Sequence, residues 1–207
     1  MDSIDKLLRG HERFRHRYFN DDPALFERLA RRGQAPEVAV VACCDSRVDP
    51  AIVTDCDPGD LFTIRNVANL VPPHEPEGVY HGTSAALEFA VRGLAVKHVV
   101  VLGHAQCGGV QALMSGDYAQ NDDFIGDWMN IAREARERVL ADPRFADAAD
   151  RQRGCEHASI GISLRNLMTF PWIRDLVERG QLHLHGWYFD LYNGALLQRD
   201  AATGEFR

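Results

Sequence analysis

Cys43-Cys44-Asp45-Ser46-Arg47 closes one apolar run of this chain, and His104-Ala105-Gln106-Cys107 closes another. Cys43, His104 and Cys107 together offer two thiolates and one imidazole. That donor set suits zinc, a borderline-soft ion that favours tetrahedral sulfur and nitrogen ligation. Three protein ligands with no evident fourth leave one position open, the arrangement of a catalytic zinc. Asp45 and Arg47 stand two residues apart just beyond the first cysteine. Arginine clamps a carboxylate with two parallel hydrogen bonds, so Arg47 can hold one Asp45 oxygen toward the metal. That oxygen could accept the proton of a hydroxide on zinc and turn its lone pair to a substrate. Asp45 could instead take the fourth position itself and close the site. With the fourth position open, the chemistry these residues suit is the activation of water.

Two thiolates neutralise the zinc charge, so bound water should be less acidic here than at a three-histidine centre, where its pKa is about 7. Activity is then expected to need alkaline pH, or positive help from Arg47 and the helix start after Cys107. Other residues signal less. Cys44, Cys56 and Cys155 have no partner pattern and read as buried fillers. His183 and His185 alternate on a strand and share a face; such a pair can bind metal but is more often packed or solvated. Gly103 to Gly109 is glycine-rich without matching G-x-G-x-x-G or a P-loop, so no nucleotide site is expected.

The elements that must position these residues follow from the apolar pattern. Val38 to Cys43 is a continuous run of β-branched and small residues after Pro36, and reads as a buried strand. Leu61 to Arg65 and His98 to Gly103 read likewise, with a helix over Gly82 to Leu94 whose apolar side is Ala85, Ala86, Phe89, Ala90 and Leu94. Valine-rich strands separated by helices imply right-handed crossovers and a parallel sheet. Cys43 and His104 then sit at the C-terminal ends of strands, where open α/β sheets bind ligands. Asp117 to His157 reads as exposed helices, Ser159 to Phe170 as a further helix, and Trp172 to Glu178 as another ended by Gly180. Leu182 to Leu191 is a fourth strand, returning through Asn193-Gly194 and Ala195-Leu196-Leu197 as an antiparallel edge. Ahead of the sheet, Ser3 to Arg32 carries two amphipathic helices broken at Asp21-Asp22-Pro23, an acidic cap with proline in the first turn.

At 207 residues and 45% hydrophobic, the chain can bury one core, so a single domain over residues 1–207 is expected, with 1–33 as an N-terminal helical arm. A formal charge of -7 argues against nucleic-acid or polybasic membrane partners. No stretch approaches the ~18 apolar residues of a membrane span, and Met1 to Gly10 lacks the apolar core of a signal peptide. Five cysteines, two of them adjacent, make a poor disulfide framework, so a reducing cytoplasm is the expected location.

C-x-D-S-R followed by H-x-x-C resembles the β-class carbonic anhydrases. Arg65-Asn66-Val67-Ala68-Asn69 is similar to that family's R-N-V-A-N segment, Gly103 to Gly109 to its G-H-x-x-C-G-G turn, and Leu182 to Asp190 to its late L-H-G-W strand. The likeness runs from about Leu7 to Gln198. It implies zinc on Cys43, His104 and Cys107, with Asp45 and Arg47 as the catalytic pair. It implies an α/β fold: a central, mostly parallel sheet of four strands plus an antiparallel edge strand, flanked by helices. The N-terminal helices would embrace a second copy in a homodimer that can pair into a tetramer. Gln34 fits a substrate-orienting glutamine; Phe62, Val67 and Phe89 fit a small apolar wall, some of it supplied by the partner; Gly108 fits a backbone contact. Phe89 departs from the tyrosine common there. The implied reaction is reversible hydration of carbon dioxide to bicarbonate and a proton by hydroxide on zinc. Carbonyl sulfide or carbon disulfide hydrolysis on the same scaffold, or a non-catalytic zinc-stabilised scaffold, are the alternatives. Some family members bind bicarbonate in a regulatory pocket of Trp, Arg and Tyr. Here Val40 and Phe189 replace two of the three and only Arg65 remains, which favours an open site with Asp45 paired to Arg47.

Overall fold

Two valine-rich strands form the centre of a five-stranded sheet. β1 (Val38–Cys43), β2 (Leu61–Asn66), β3 (His98–His104) and β4 (His183–Phe189) run parallel in the order β2-β1-β3-β4, and β5 (Leu196–Gln198) joins β4 antiparallel. The computed structural model describes residues 2–77, 80–116 and 124–207. One sheet face, including Ala39, Val41, Val99 and Val101, is fully buried beneath Leu87, Ala90, Ile160, Leu167 and Ile173. The opposite face, with Val40, Ala42, Val100 and Leu102, packs with Val48 and with the half-buried Trp187 and Phe189. Buried on both faces, β1 and β3 read as unbroken apolar runs rather than alternating ones. The hairpin return after Asn193-Gly194 is present, with Gly194 at φ +73°.

The chain forms two compact units, Met1–Ala35 and Pro36–Arg207. In the first, α1 (Ser3–Arg15) continues through a π-helical stretch, His16–Asp21, and α2 (Ala24–Arg32) follows the break. Phe14, Tyr18, Phe19 and Phe26 cluster in edge-to-face, tilted and stacked pairs, joining the two helices. Ile4, Leu7, Leu8 and Phe19 remain exposed. The acidic cap expected before α2 is not made: Pro23 occupies the cap position and no side chain bonds the helix start.

In the second unit, α3 (Pro50–Val53) starts with Asp49 accepting from Ala51 N–H at 3.1 Å. α4 (Gly82–Glu88) passes into a π-helical turn over Phe89–Gly93, and its buried face is Leu87, Ala90 and Val91. Phe89, expected on that face, is 51% exposed. The apolar stripe here is wider than the sheet can cover. α5 (Gly108–Ser115), α6 (Ile125–Asn130) and α7 (Arg133–Ala141) follow. Of the stretch expected as exposed helices, residues 117–123 lie outside the described residues. The rest is not simply exposed: Met129, Ala132, Ala135 and Val139 are buried. The long helix α8 (Ala148–Leu167) begins eleven residues before the expected Ser159, capped by Asp147 accepting from Asp150 N–H at 2.8 Å. Its small residues explain the miss, since Gly154 and Cys155 are buried without forming an obvious apolar stripe. α9 (Pro171–Glu178) has proline in its first turn.

α8 is pinned to the sheet by a buried polar group. The Glu156 carboxylate, 3% exposed, accepts from Tyr188 OH at 2.8 Å, from Gln152 Nε2 at 2.7 Å and from Cys107 N–H at 3.1 Å. Burial raises the Glu156 pKa while these three donors work to lower it. Next to it, the His157 ring lies between Tyr188 and Phe206, with centroids 4.3 and 4.2 Å away, and its Nε2 has no partner. Burial, with a smaller push from Arg153, lowers His157 to about 4.

Tyr188→Phe keeps the ring and removes one donor from a buried carboxyl, so it should destabilise by about 1–3 kcal/mol in urea unfolding. An unchanged unfolding midpoint would mean that Tyr188 does not support Glu156. His157 takes up its proton more readily when unfolded, so its contribution is intact above pH 6.5 and is lost as pH falls toward 4. His157→Gln should flatten the fall in melting temperature across that window; an unaltered slope would contradict the buried neutral ring.

Candidate active site

β1 and β3 are neighbours in parallel register, with Val38 beside His98 and Ala42 beside Leu102. One step further, Cys43 ends β1 where Gly103 and His104 end β3. A sharp turn then returns Cys107 to the same point. Gln106 adopts φ +58°, and Cys107 caps the start of α5. An added Cβ at Gly109 would lie 2.8 Å from Val67 Cγ1 and 3.1 Å from Ala68 Cβ, so only glycine lets the first turn of α5 sit this close.

The result is a buried cluster. One ligand atom each from Cys43, His104 and Cys107 lies within 4.8 Å of the others, and the two sulfurs are 3.9 Å apart. His104 is 1% exposed, its Nδ1 donating to Ala105 O at 2.9 Å. That bond fixes the tautomer and leaves Nε2 with a lone pair. Nε2 is buried with no hydrogen-bond partner among the described residues. An orphaned imidazole nitrogen facing two sulfurs fits a zinc ion, which would accept that lone pair. The two sulfurs act on each other: the bond from Cys107 holds the Cys43 thiol well below its usual range, and the Cys107 thiol is correspondingly raised.

Asp45 and Arg47 form the expected fork. Arg47 Nε donates to Asp45 Oδ1 at 2.9 Å, Nη2 to Oδ2 at 2.7 Å, and the Arg47 backbone N–H adds a third bond to Oδ1 at 2.9 Å. Nη2 also reaches Gln106 O at 3.0 Å, tying the fork to the turn of Cys107. Arg47's hydrogen bond holds Asp45 well below the usual carboxylate range. Asp45 Oδ2 is 4.0 Å from His104 Nε2.

Arg65 holds this loop in place. Its guanidinium donates to Cys43 O at 3.0 Å, Asp45 O at 2.7 Å, Val48 O at 3.2 Å and Asp49 Oδ2 at 2.9 Å. Every one of its three nitrogens is thus committed within the chain. Asn66 closes the following turn on Leu70, accepting its N–H at 2.9 Å and donating to its carbonyl at 2.8 Å, around Ala68 and Asn69 at positive φ.

Of the wall residues, Val67 packs against the group containing Cys43 and Cys107. Gly108 opens α5 beside Cys107, and an added Cβ there would meet nothing within 4 Å. Phe62 packs against the core under the other side of the sheet, and the ring of the exposed Phe89 lies 5.8 Å from it. Gln34 lies in the first unit and is exposed. Cys44 is exposed, not the buried filler expected, because the chain has left the sheet at Cys43. Cys155 is buried, which pushes its thiol up to about 12, and Cys56 is half-buried against Thr54. Glu156 escaped notice in the sequence. Its position on a distant helix carries no local sign that it meets Cys107.

Residues 38–196 match the family model described as carbonic anhydrase. The chain is 40% identical over 190 residues to the chloroplastic beta carbonic anhydrase 5 of Arabidopsis thaliana, covering 91% of this chain and 62% of that protein. The chain thus spans less than two thirds of that relative's length. The solved structure of the beta-carbonic anhydrase CcaA is similar at 33% identity with a TM-score of 0.92, covering 99% of this chain and 91% of that one. A tetrameric beta-carbonic anhydrase from Sordaria macrospora is similar at 27% identity with a TM-score of 0.81, covering 96% and 97%. With the family match, the five-stranded sheet and the Cys-His-Cys cluster in agreement, the chain belongs to the β-class carbonic anhydrases.

Proposed function

We propose that this protein is a zinc lyase catalysing the reversible hydration of carbon dioxide to bicarbonate and a proton. The observation that carries the proposal is the partnerless His104 Nε2, buried opposite two cysteine sulfurs and 4.0 Å from a clamped carboxylate. Cys43, His104 and Cys107 would hold zinc, which when bound supplies a Lewis acid that makes water nucleophilic near neutral pH.

The remaining steps belong to the protein. Arg47 keeps Asp45 ionised and fixes its rotamer through both oxygens. Oδ2, with only one of these bonds, has a lone pair left to accept a proton from an oxygen at the site, orienting that oxygen's own lone pair toward carbon dioxide. Positioning is the larger part of this role, since a carboxylate held below the usual range is a weak base. Val67 provides apolar wall at the ligand cluster, and Gly108 leaves space and a backbone N–H beside Cys107. Gln34, Phe62 and Phe89 complete the substrate pocket in this reading, with a second copy supplying part of it. The exposed Ile4, Leu7, Leu8 and Phe19 support a homodimer at least, and the Sordaria macrospora relative is tetrameric. All five cysteines are free, and the metal-binding pair must stay reduced. A reducing compartment, in the simplest case the cytoplasm, meets that need; no described helix is long and apolar enough to cross a membrane.

Stopped-flow measurement of carbon dioxide hydration on zinc-loaded protein tests the proposal, with carbonyl sulfide and carbon disulfide assayed in parallel. Carbon dioxide should be turned over fastest; inertness toward it would sink the assignment. Asp45→Asn should keep zinc but lower kcat/KM by about 10²-fold or more, because an amide cannot accept the whole Arg47 fork. Near-normal activity across neutral and alkaline pH would remove Asp45 from the mechanism. Cys107→Ser should lose zinc on dialysis, as a hydroxyl is a much poorer ligand than a thiolate. Full zinc content by elemental analysis would refute the ligand assignment.

A further inference from the structure

The far end of the sheet brings three histidines together, two of them, His98 and His185, with ring nitrogens 3.1 Å apart. His98 opens β3 and His183 opens β4, directly paired in the parallel register, while His185 pairs with Val100. Alternate residues of a strand share a face, so all three imidazoles lie on the same side of the sheet. His98 Nδ1 is 3.1 Å from His185 Nε2. The His98 ring stacks on His183 with centroids 5.3 Å apart and an interplanar angle of 28°, and lies 5.2 Å from the ring of His185. His98 precedes His104 by six residues of extended chain, about 20 Å, so this group is separate from the cysteine site.

The spacing suits a shared ion. Two imidazole nitrogens bound to one zinc at ~2.0–2.1 Å stand ~3.3 Å apart in a tetrahedral site, and slightly closer at square corners around copper or nickel. The observed 3.1 Å falls in that range. In the neutral pair one ring donates its N–H to the other; when an ion binds, the donor ring carries its proton on its other nitrogen instead, so that both facing nitrogens offer lone pairs. His183 is exposed, so it can turn from its stacked position to supply a third nitrogen at small cost. The Glu37 backbone carbonyl accepts from both Lys97 and His98 N–H, which fixes the start of β3, while the Glu37 carboxylate is paired with Lys97 and leaves the imidazoles as the ligands. Access is open as well. β5 pairs only with Trp187 to Phe189, and a groove of about 410 Å³ lined by His183, His185 and Arg199 runs along the uncovered start of β4.

We propose that His98, His183 and His185 form a second, all-imidazole site for a divalent transition metal, independent of the Cys43-His104-Cys107 centre. Its ligands are uniformly nitrogen, so it selects copper, nickel or zinc over calcium or magnesium. Bound metal would staple the starts of β3 and β4 together.

Nickel(II) is the probe of choice, since it is less prone than copper to oxidise the thiols. Equilibrium dialysis of zinc-loaded protein against nickel should yield one added equivalent at micromolar concentration with zinc content unchanged. His98→Asn and His185→Asn should each weaken nickel binding by 10-fold or more, and His183→Ala by several-fold, with His74→Ala as the unaffected control. The exposed His183→Ala variant keeps the test decisive if the half-buried positions do not tolerate change. Paramagnetic broadening should fall first on the imidazole NMR signals of His98, His183 and His185. No added nickel, uptake indifferent to all three variants, or broadening confined to other histidines would overturn the site and leave a hydrogen-bonded imidazole pair only.

Discussion

Two thiols and an imidazole crowded into a dry corner are tolerable only if their lone pairs and protons are accounted for, and much of the surrounding structure does that accounting. His104 spends Nδ1 on its neighbour's carbonyl and presents Nε2 to the sulfurs. The Cys107 N–H goes to Glu156, not to a sulfur, and Glu156 is itself held by Tyr188 and Gln152. This places an acidic side chain from α8 directly behind Cys107, one of the three residues proposed to hold zinc. Outer partners of this kind orient first ligands and tune the centre they hold. The helix, the fourth strand and the ligand turn therefore form one polar unit inside an apolar core.

The loop that carries Asp45 is held with equal care. Arg65 gathers three carbonyls and the Asp49 carboxylate around one guanidinium, making the backbone from Cys43 to Asp49 a single rigid piece. Arg47 can then fix Asp45 at both oxygens without also having to order the loop. Arg65, the one residue left of the family's regulatory pocket, is thus fully engaged within this loop. Ala68, Asn69 and Gln106 adopt positive φ next to this assembly. Each is a non-glycine residue in a conformation that carries a modest cost, of the kind stored where a turn must aim a ligand.

The donor types were legible in the chain, since Cys-x-Asp-x-Arg and His-x-x-Cys state their chemistry in single residues. So were the strands, most plainly β1 and β3 with their apolar valine runs, and the antiparallel return after Asn193-Gly194. These are local properties, set by side-chain shape and periodicity over a few residues. Three-dimensional proximity is different in kind. That β1 lies beside β3, that α8 starts at Ala148 and lays Glu156 behind Cys107, that Arg65 serves the Cys43 loop, and that His98 meets His185 all depend on contacts across long stretches of chain. Such contacts are chosen by which apolar faces bury one another, and a charged or small residue on a helix carries no mark of which face that will be. Sequence by itself determined which atoms could do the chemistry; only the tertiary packing decided which of them meet, because burial, and with it tautomer, charge and hydrogen-bond partner, is a property of the assembled core.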